Sequence, residues 1–395
     1  MTARRVASLA TAMAFVASLS TPTKAMPGRG NAFTRAVEKA ACEATHAAGL
    51  APRRFTFPRD DGAHDGYAVE WWRTFGRVRD DAGKTFDFSV NVSRFDVAAT
   101  GASIDAANSR WATRHLLTVA YALLDEQTRD VVRGTFVDRE GSLGAHVAHD
   151  RLSLADRALR FAGAQAPGSG VRRYTLRLHD AADTNALLVD QTPTNAALAL
   201  GPGGVMRTGS CVSNAAYAYA YPRNATHGVL RFNGVDHRVT GSTWIEHEFA
   251  HRELAALDAG WDRFELQFDD GRDVDARFTR DAYGDIVATS GVFVAADGTV
   301  TYLSTGDAGA GLFPPGSAWH SPESGASYPA TWMLGVKPGR LGLATVEVAH
   351  DQEMRQPGRT PYYWGAIVVE KAAPPGGDPG HGFVELTGYA GGRRL

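Results

Sequence analysis

Long apolar runs are almost absent from this chain. After the first 25 residues no stretch approaches the roughly 20 apolar residues that a membrane helix needs, so no stable span is expected in the mature protein. Charge of one sign is lacking too: 41 basic and 43 acidic side chains leave a formal net charge of −2. No basic stripe offers a footprint for nucleic acid, which argues against such a partner. Cysteine is scarce. Cys42 and Cys211 allow one disulfide at most, and in an exported protein they are expected to form it. Helical periodicity is nearly missing, which turns the fold away from bundles and α/β layers.

The exception on both counts lies at the N-terminus. Arg4 and Arg5 precede a mostly apolar or small segment, residues 6–19, and Thr23-Lys24-Ala25 supplies a small-x-small cleavage pattern. Residues 1–25 therefore read as an export signal, giving a periplasmic or extracellular product. Within the next segment, 26–54, residues 31–49 have helical character and Gly49 suits a C-cap.

What is abundant is glycine (43 residues) together with Asp and Asn at turn positions. Between these turns hydrophobic residues alternate with a period of two, as half-buried strands require. Residues 67–78 and 85–95 alternate around an Asp80-Asp81-Ala82-Gly83-Lys84 turn. Residues 213–221 put Tyr217, Tyr219 and Tyr221 on one side. Asn233-Gly234 is a strong hairpin dipeptide, and alternation resumes at 261–269, 341–350, 362–370 and 382–389. The expected fold class is all-β: two antiparallel β-barrel domains, residues 55–232 and 233–395, after a short N-terminal helix.

The stretch that organises the rest of the chain is Trp244-Ile245-Glu246-His247-Glu248-Phe249-Ala250-His251. Two carboxyls and an imidazole beside aromatic rings are costly to bury unless they pair, and such clusters carry shifted pKa values. Three readings are open. His247-Glu248-x-x-His251 matches the zinc metallohydrolase motif, which needs a helix to put both imidazoles on one face. Alternatively, His247 flanked by Glu246 and Glu248 serves acid–base chemistry without metal, with aromatic walls to stabilise a developing cation. In the third, the charges are a rim ion-pair group and the rings are core.

Several segments, taken in order, resemble the lipocalin-like family of carotenoid 1,2-hydratases and AttH-type proteins. They are Phe57-Pro58-Arg59-Asp60 with Gly62-Ala63-His64, then Glu70-Trp71-Trp72, then Val239 through Phe249, Gly260-Trp261-Asp262-Arg263-Phe264, Tyr328-Pro329 with Trp332, Asp351-Gln352-Glu353, and Gly382 through Tyr389. The resemblance implies two lipocalin-like barrels with a ligand cavity between or within them. It also implies a site at His247 that holds no metal and uses no cofactor, and a reaction that adds water to, or removes it from, an isoprenoid C=C bond. On this reading His247 donates the proton with Glu246 as its partner, and Glu248 completes the catalytic group. Glu70 orients, and Trp71, Trp72, Trp244, Phe249, Tyr363 and Trp364 contact an apolar isoprenoid or lipid-like ligand. The alternative is a carrier of such a ligand that performs no chemistry. Three positions depart from the family pattern: Phe249 stands for Trp, Glu246 for Asp, and Tyr362-Tyr363-Trp364-Gly365 loses the acid of Tyr-Trp-Glu-Gly.

Overall fold

A computed structural model describes residues 50–390 apart from 101–112, 142–143, 166–171, 212, 252–257, 282–283, 313–317, 339–340, 357–359 and 374–378. The expected signal segment, the helix over 31–49 and Cys42 lie outside the described residues.

Two curled antiparallel sheets carry the chain. In the first, of thirteen strands, Val69–Asp80 and Val235–Ala250 lie side by side at the centre. Thr85–Asp96 flanks them on one side and Ala215–Phe232 on the other. In the second, of ten strands, the order Ile286–Val294, Asp273–Asp281, Asp258–Phe268, Gly380–Leu386, Tyr362–Ala373 forms the central run. The alternating segments read from the sequence form strands near their expected limits, because a period-two pattern with one apolar face can bury only as a sheet.

Asn233-Gly234 forms the expected turn, with φ of 50° and 81°, the left-handed pair that matches hairpin twist. It joins two strands of the same sheet, however. The change from the first sheet to the second therefore falls after Ala250, between Val235–Ala250 and Asp258–Phe268, rather than at 232/233.

Both sheets are buried on both sides at their centres, so neither strand face is a solvent face. Inside the first sheet's curl, Trp72, Phe86, Phe88, Tyr174, Tyr219 and Tyr221 form one apolar core. Inside the second, Phe264, Phe278, Trp332 and Tyr363 form another. A third core, with Phe75, Trp244, Trp364 and Phe383, fills the layer where the convex faces meet. The strand Ala215–Phe232 shows how its sequence suits two neighbours. Tyr219 and Tyr221 point into the first core, whereas Ala218 and Ala220 face the shared layer, where their small size lets the second sheet approach.

Candidate functional site

The strand Val235–Ala250 divides its side chains between two environments. Its odd residues Val239, Ile245, His247 and Phe249 face the interior of the first sheet, and Trp244, Glu246 and Glu248 face the layer between sheets. Across the pairing, Trp72 stands opposite His247, Trp71 opposite Glu248 and Arg73 opposite Glu246. Successive residues in a strand point to opposite faces, so the pattern separates two polar clusters by one backbone.

On the interior side, Glu70 is the hub. Its Oε1 lies 2.8 Å from His247 Nε2 and 2.8 Å from His64 Nδ1. The backbone N–H of His64 donates to both carboxylate oxygens, at 3.1 and 3.0 Å. The outer nitrogens are held from behind: His64 Nε2 is 3.0 Å from Asp60 Oδ1, and His247 Nδ1 is 2.9 Å from the Asp60 carbonyl. Trp72 stacks on the His247 ring at 4.7 Å, and Phe249 on the His64 ring at 3.8 Å. Burial works to raise the Glu70 pKa, but the bonds from the two histidines win and hold it at about 2. Burial likewise opposes a charged His64, and bonds to Asp60 and Glu70 outweigh it and raise its pKa. A relay runs outward from His247. Tyr219 Oη is 3.3 Å from His247 Nδ1 and donates to Asp61 Oδ1 at 2.6 Å. Tyr174 also donates to Asp61, and Arg172 reaches Asp61 and donates to Tyr221. Arg172 and Tyr221 line a cavity of about 380 Å³ with Phe57, Pro193 and Asn195.

The layer between the sheets holds the second cluster. Arg263, fully buried, grips Glu246 with two N–H groups at 2.7 Å each and Asp275 with two more at 2.8 and 2.7 Å. Arg73 donates to Glu385 at 3.1 Å, and Arg277 lies 3.9 Å from Glu248. Three guanidiniums thus face five carboxyls: Glu246, Glu248, Glu265, Asp275 and Glu385. An uncompensated buried charge costs several kcal/mol, so neutrality leaves two carboxyls holding their protons. Burial raises the Glu248 pKa against the pull of Arg277, and raises those of Glu265 and Asp275 against Arg263. Glu248 Oε2, both oxygens of Glu265 and the indole nitrogens of Trp244, Trp261 and Trp364 have no hydrogen-bond partner.

A cavity of about 370 Å³ opens beside this cluster, between the sheets. Its walls include Trp71, Trp261, Pro361 and Tyr362, and its polar groups include Arg73, Glu385, Asn91 and Gln356. Glu248 sits behind that wall. It is opposite Trp71 across the strands and within 3.9 Å of Arg277, whose guanidinium lies 4.1 Å over the Trp261 ring.

A family model for AttH-like proteins matches residues 48–389. The chain belongs to the AttH-like family. The crystal structure of an AttH protein from Nitrosomonas europaea superposes with a TM-score of 0.74 at 24% identity, covering 87% of this chain and 99% of that one. Kievitone hydratase from Nectria haematococca superposes with a TM-score of 0.60 at 14% identity, covering 85% and 93%. The two curled antiparallel sheets are thus the two-domain lipocalin-like fold of the family. No curated protein matches the sequence significantly.

In this AttH-like chain the residues singled out by sequence part company. Glu70, Trp72, His247 and Phe249 meet inside the first domain. Trp71, Trp244, Glu246, Glu248 and Trp364 belong to the layer between domains, and Trp71 alone of them lines its cavity. Tyr363 faces the second core, where its hydroxyl donates to the Ala349 carbonyl at 3.1 Å. Glu246 is not a partner of His247; adjacency in a strand sends them to opposite sides. The metallohydrolase motif fails on the same ground. His247 to Ala250 is strand, so His251 lies about 13 Å further along, stacked on Tyr67 and away from His247. Sequence reasoning missed Asp60, Asp61 and Tyr219 on one face, and Arg73, Asp275, Arg277 and Glu385 on the other. The available signal was an arginine or acid at a core position of an alternating strand, as in Trp261-Asp262-Arg263-Phe264-Glu265.

Proposed function

We propose that this protein takes an apolar isoprenoid or lipid-like ligand into the cavity between its domains and adds or removes water at a C=C bond, with Glu248 as the proton donor. One observation carries the reading: Glu248 is buried directly behind the Trp71 wall of that cavity, its pKa is raised by that burial, and its Oε2 has no hydrogen-bond partner. A neutral carboxyl in an apolar setting is a general acid at ordinary pH. Its proton passes to one alkene carbon, the positive charge left on the neighbouring carbon lies against the π faces of Trp71 and Trp261, and water adds there, losing a proton to Glu248 or Glu385. Arg73, paired with Glu385, fixes the polar end of the ligand. The hydratase name of one structural neighbour agrees with this class of reaction. His247 and Glu246, the other candidates from sequence, then serve as the hub of the interior cluster and the anchor of Arg263.

Kievitone and a linear carotene are the first trial substrates. Incubated with the purified chain in heavy-oxygen water, a substrate gains one labelled oxygen per molecule of hydrated product. Glu248→Gln lowers that rate about 10²-fold or more with the fold intact. Turnover falls as pH rises through the raised Glu248 pKa, because the acid form is the active one. Binding without label incorporation across such a panel makes the protein a carrier and sinks the hydratase reading.

The same proposal places the mature chain outside the cytoplasm. Its support is the charged and apolar pattern of residues 1–25 together with Cys211, which is buried and disulfide-bonded. Cys42 is the only other cysteine of the sequence. An intact mass starting near residue 26, and two hydrogens lighter than the reduced chain, is the expected result from a periplasmic or secreted fraction.

A further inference from the structure

The interior cluster around Glu70 has a proton inventory that points to a cation. Asp60 Oδ1 and the Asp60 carbonyl only accept hydrogen bonds, so His64 Nε2 and His247 Nδ1 each carry their proton there. The inner nitrogens, His64 Nδ1 and His247 Nε2, face the same carboxylate oxygen from either side and would present their lone pairs to a cation bound there. Three acceptor atoms, all within 4.8 Å of one another, converge on one point. Something positive belongs between them. Two extra protons would serve, at the expense of two buried imidazoliums; one divalent ion does the same with a single charge centre.

The surroundings fit the ion. Metal-bound histidines are usually held from behind by a carboxylate or a backbone carbonyl, which fixes the tautomer and the ring. Asp60 supplies one of each. Trp72 and Phe249 clamp the two rings from their faces, and all three donor residues are at most 4% exposed. Two imidazoles and one carboxylate are a donor set that zinc takes in tetrahedral sites, with one position left for water.

We propose that His64, Glu70 and His247 bind one zinc ion inside the first domain. The set shares only His247 with the metallohydrolase motif. It lies across the strand from Glu248 and the cavity, so it stands or falls apart from the reaction proposed above. It is also contrary to the metal-free site that the sequence resemblance implies. Bound there, the ion ties the loop carrying Asp60 and His64 to the central strands, which contribute Glu70 and His247.

The test is elemental analysis of the full chain, produced in zinc-supplemented medium and gel-filtered in chelator-treated buffer. About one zinc per chain is expected. It falls below about one tenth in His64→Gln and in Glu70→Gln, and stays at one in His251→Ala. Chelation by a strong ligand at mild denaturant lowers the Tm of the wild type and leaves that of Glu70→Gln where it was. Folded wild-type protein without zinc, both as purified and after refolding with one equivalent of zinc chloride, overturns the proposal and leaves protons in the cluster. So does one zinc that survives in both variants, since it then sits elsewhere. Because the wild-type measurement decides alone, a variant that fails to fold does not protect the idea.

Discussion

The two faces of the strand Val235–Ala250 are built to opposite rules. On the interior face every polar side-chain atom of His64, Glu70 and His247 lies within 3.3 Å of another polar atom of the first domain. On the face between domains the ion pairs are as short, yet Glu248, Glu265 and three indole nitrogens keep unpartnered atoms. Buried polar groups are normally satisfied, and an exception beside a cavity is where a visitor can make bonds the protein does not. The contrast teaches that charge density alone does not locate a ligand site; unused bonding capacity does.

Arg263→Ala breaks the comparison hardest. It leaves Glu246 and Asp275 buried without their guanidinium, and loss of one partner of a buried pair costs about 3–5 kcal/mol or more. Urea denaturation is expected to show that loss, or no folded protein at all. A change below about 1 kcal/mol would mean that water already screens the layer.

A smaller, pH-dependent effect is expected at Asp273, which meets Arg223 of the first domain at 2.9 Å. Burial raises its pKa to about 6 despite that arginine. A raised acid pKa means that the folded state holds the proton more tightly than the unfolded chain does. The contribution of this group is therefore fully present below pH 3.8 and is lost as pH rises through 6. Asp273→Asn should match the wild type near pH 4 and exceed it by about 1–3 kcal/mol at pH 8. Thermal unfolding at the two pH values checks this; equal differences at both would show that Asp273 is ionised throughout.

The smallest effect sharpens the contrast. Glu248→Gln keeps the shape and removes a proton that neutrality already leaves in place, so stability should change by less than about 1 kcal/mol while turnover collapses. Glu70→Gln is the counter-case, because there the carboxylate is held by the His64 backbone N–H and by both histidine rings. It should destabilise by more than Glu248→Gln in the same denaturation series.

Much of the fold was legible because alternation leaves little choice. Phe86, Phe88, Val90 and Val92 on one side of a strand and a Gly83 turn before it define a hairpin without help from the rest of the chain. Asn233-Gly234 was legible as a turn but not as a place in the topology, since turn chemistry says that the chain reverses and nothing about which sheet it re-enters. The site was half legible. His247 and Glu70 stood out in their motifs, and their 2.8 Å contact joins residues 177 positions apart that no spacing links. The pairing of Glu246 with His247 was a misreading that period two itself forbids in a strand. Asp275 and Glu385 could not be paired with anything before the second sheet was laid against the first.

Ala218 and Ala220 touch no ligand wall, yet they act as the spacer that sets how far apart the two halves stand. Both are fully buried in the layer that the cavity opens from, so its bore depends on residues outside it. Diversifying this strand would retune which molecules are admitted while the reacting groups stay untouched, and a bulkier residue at either position would act as a shim.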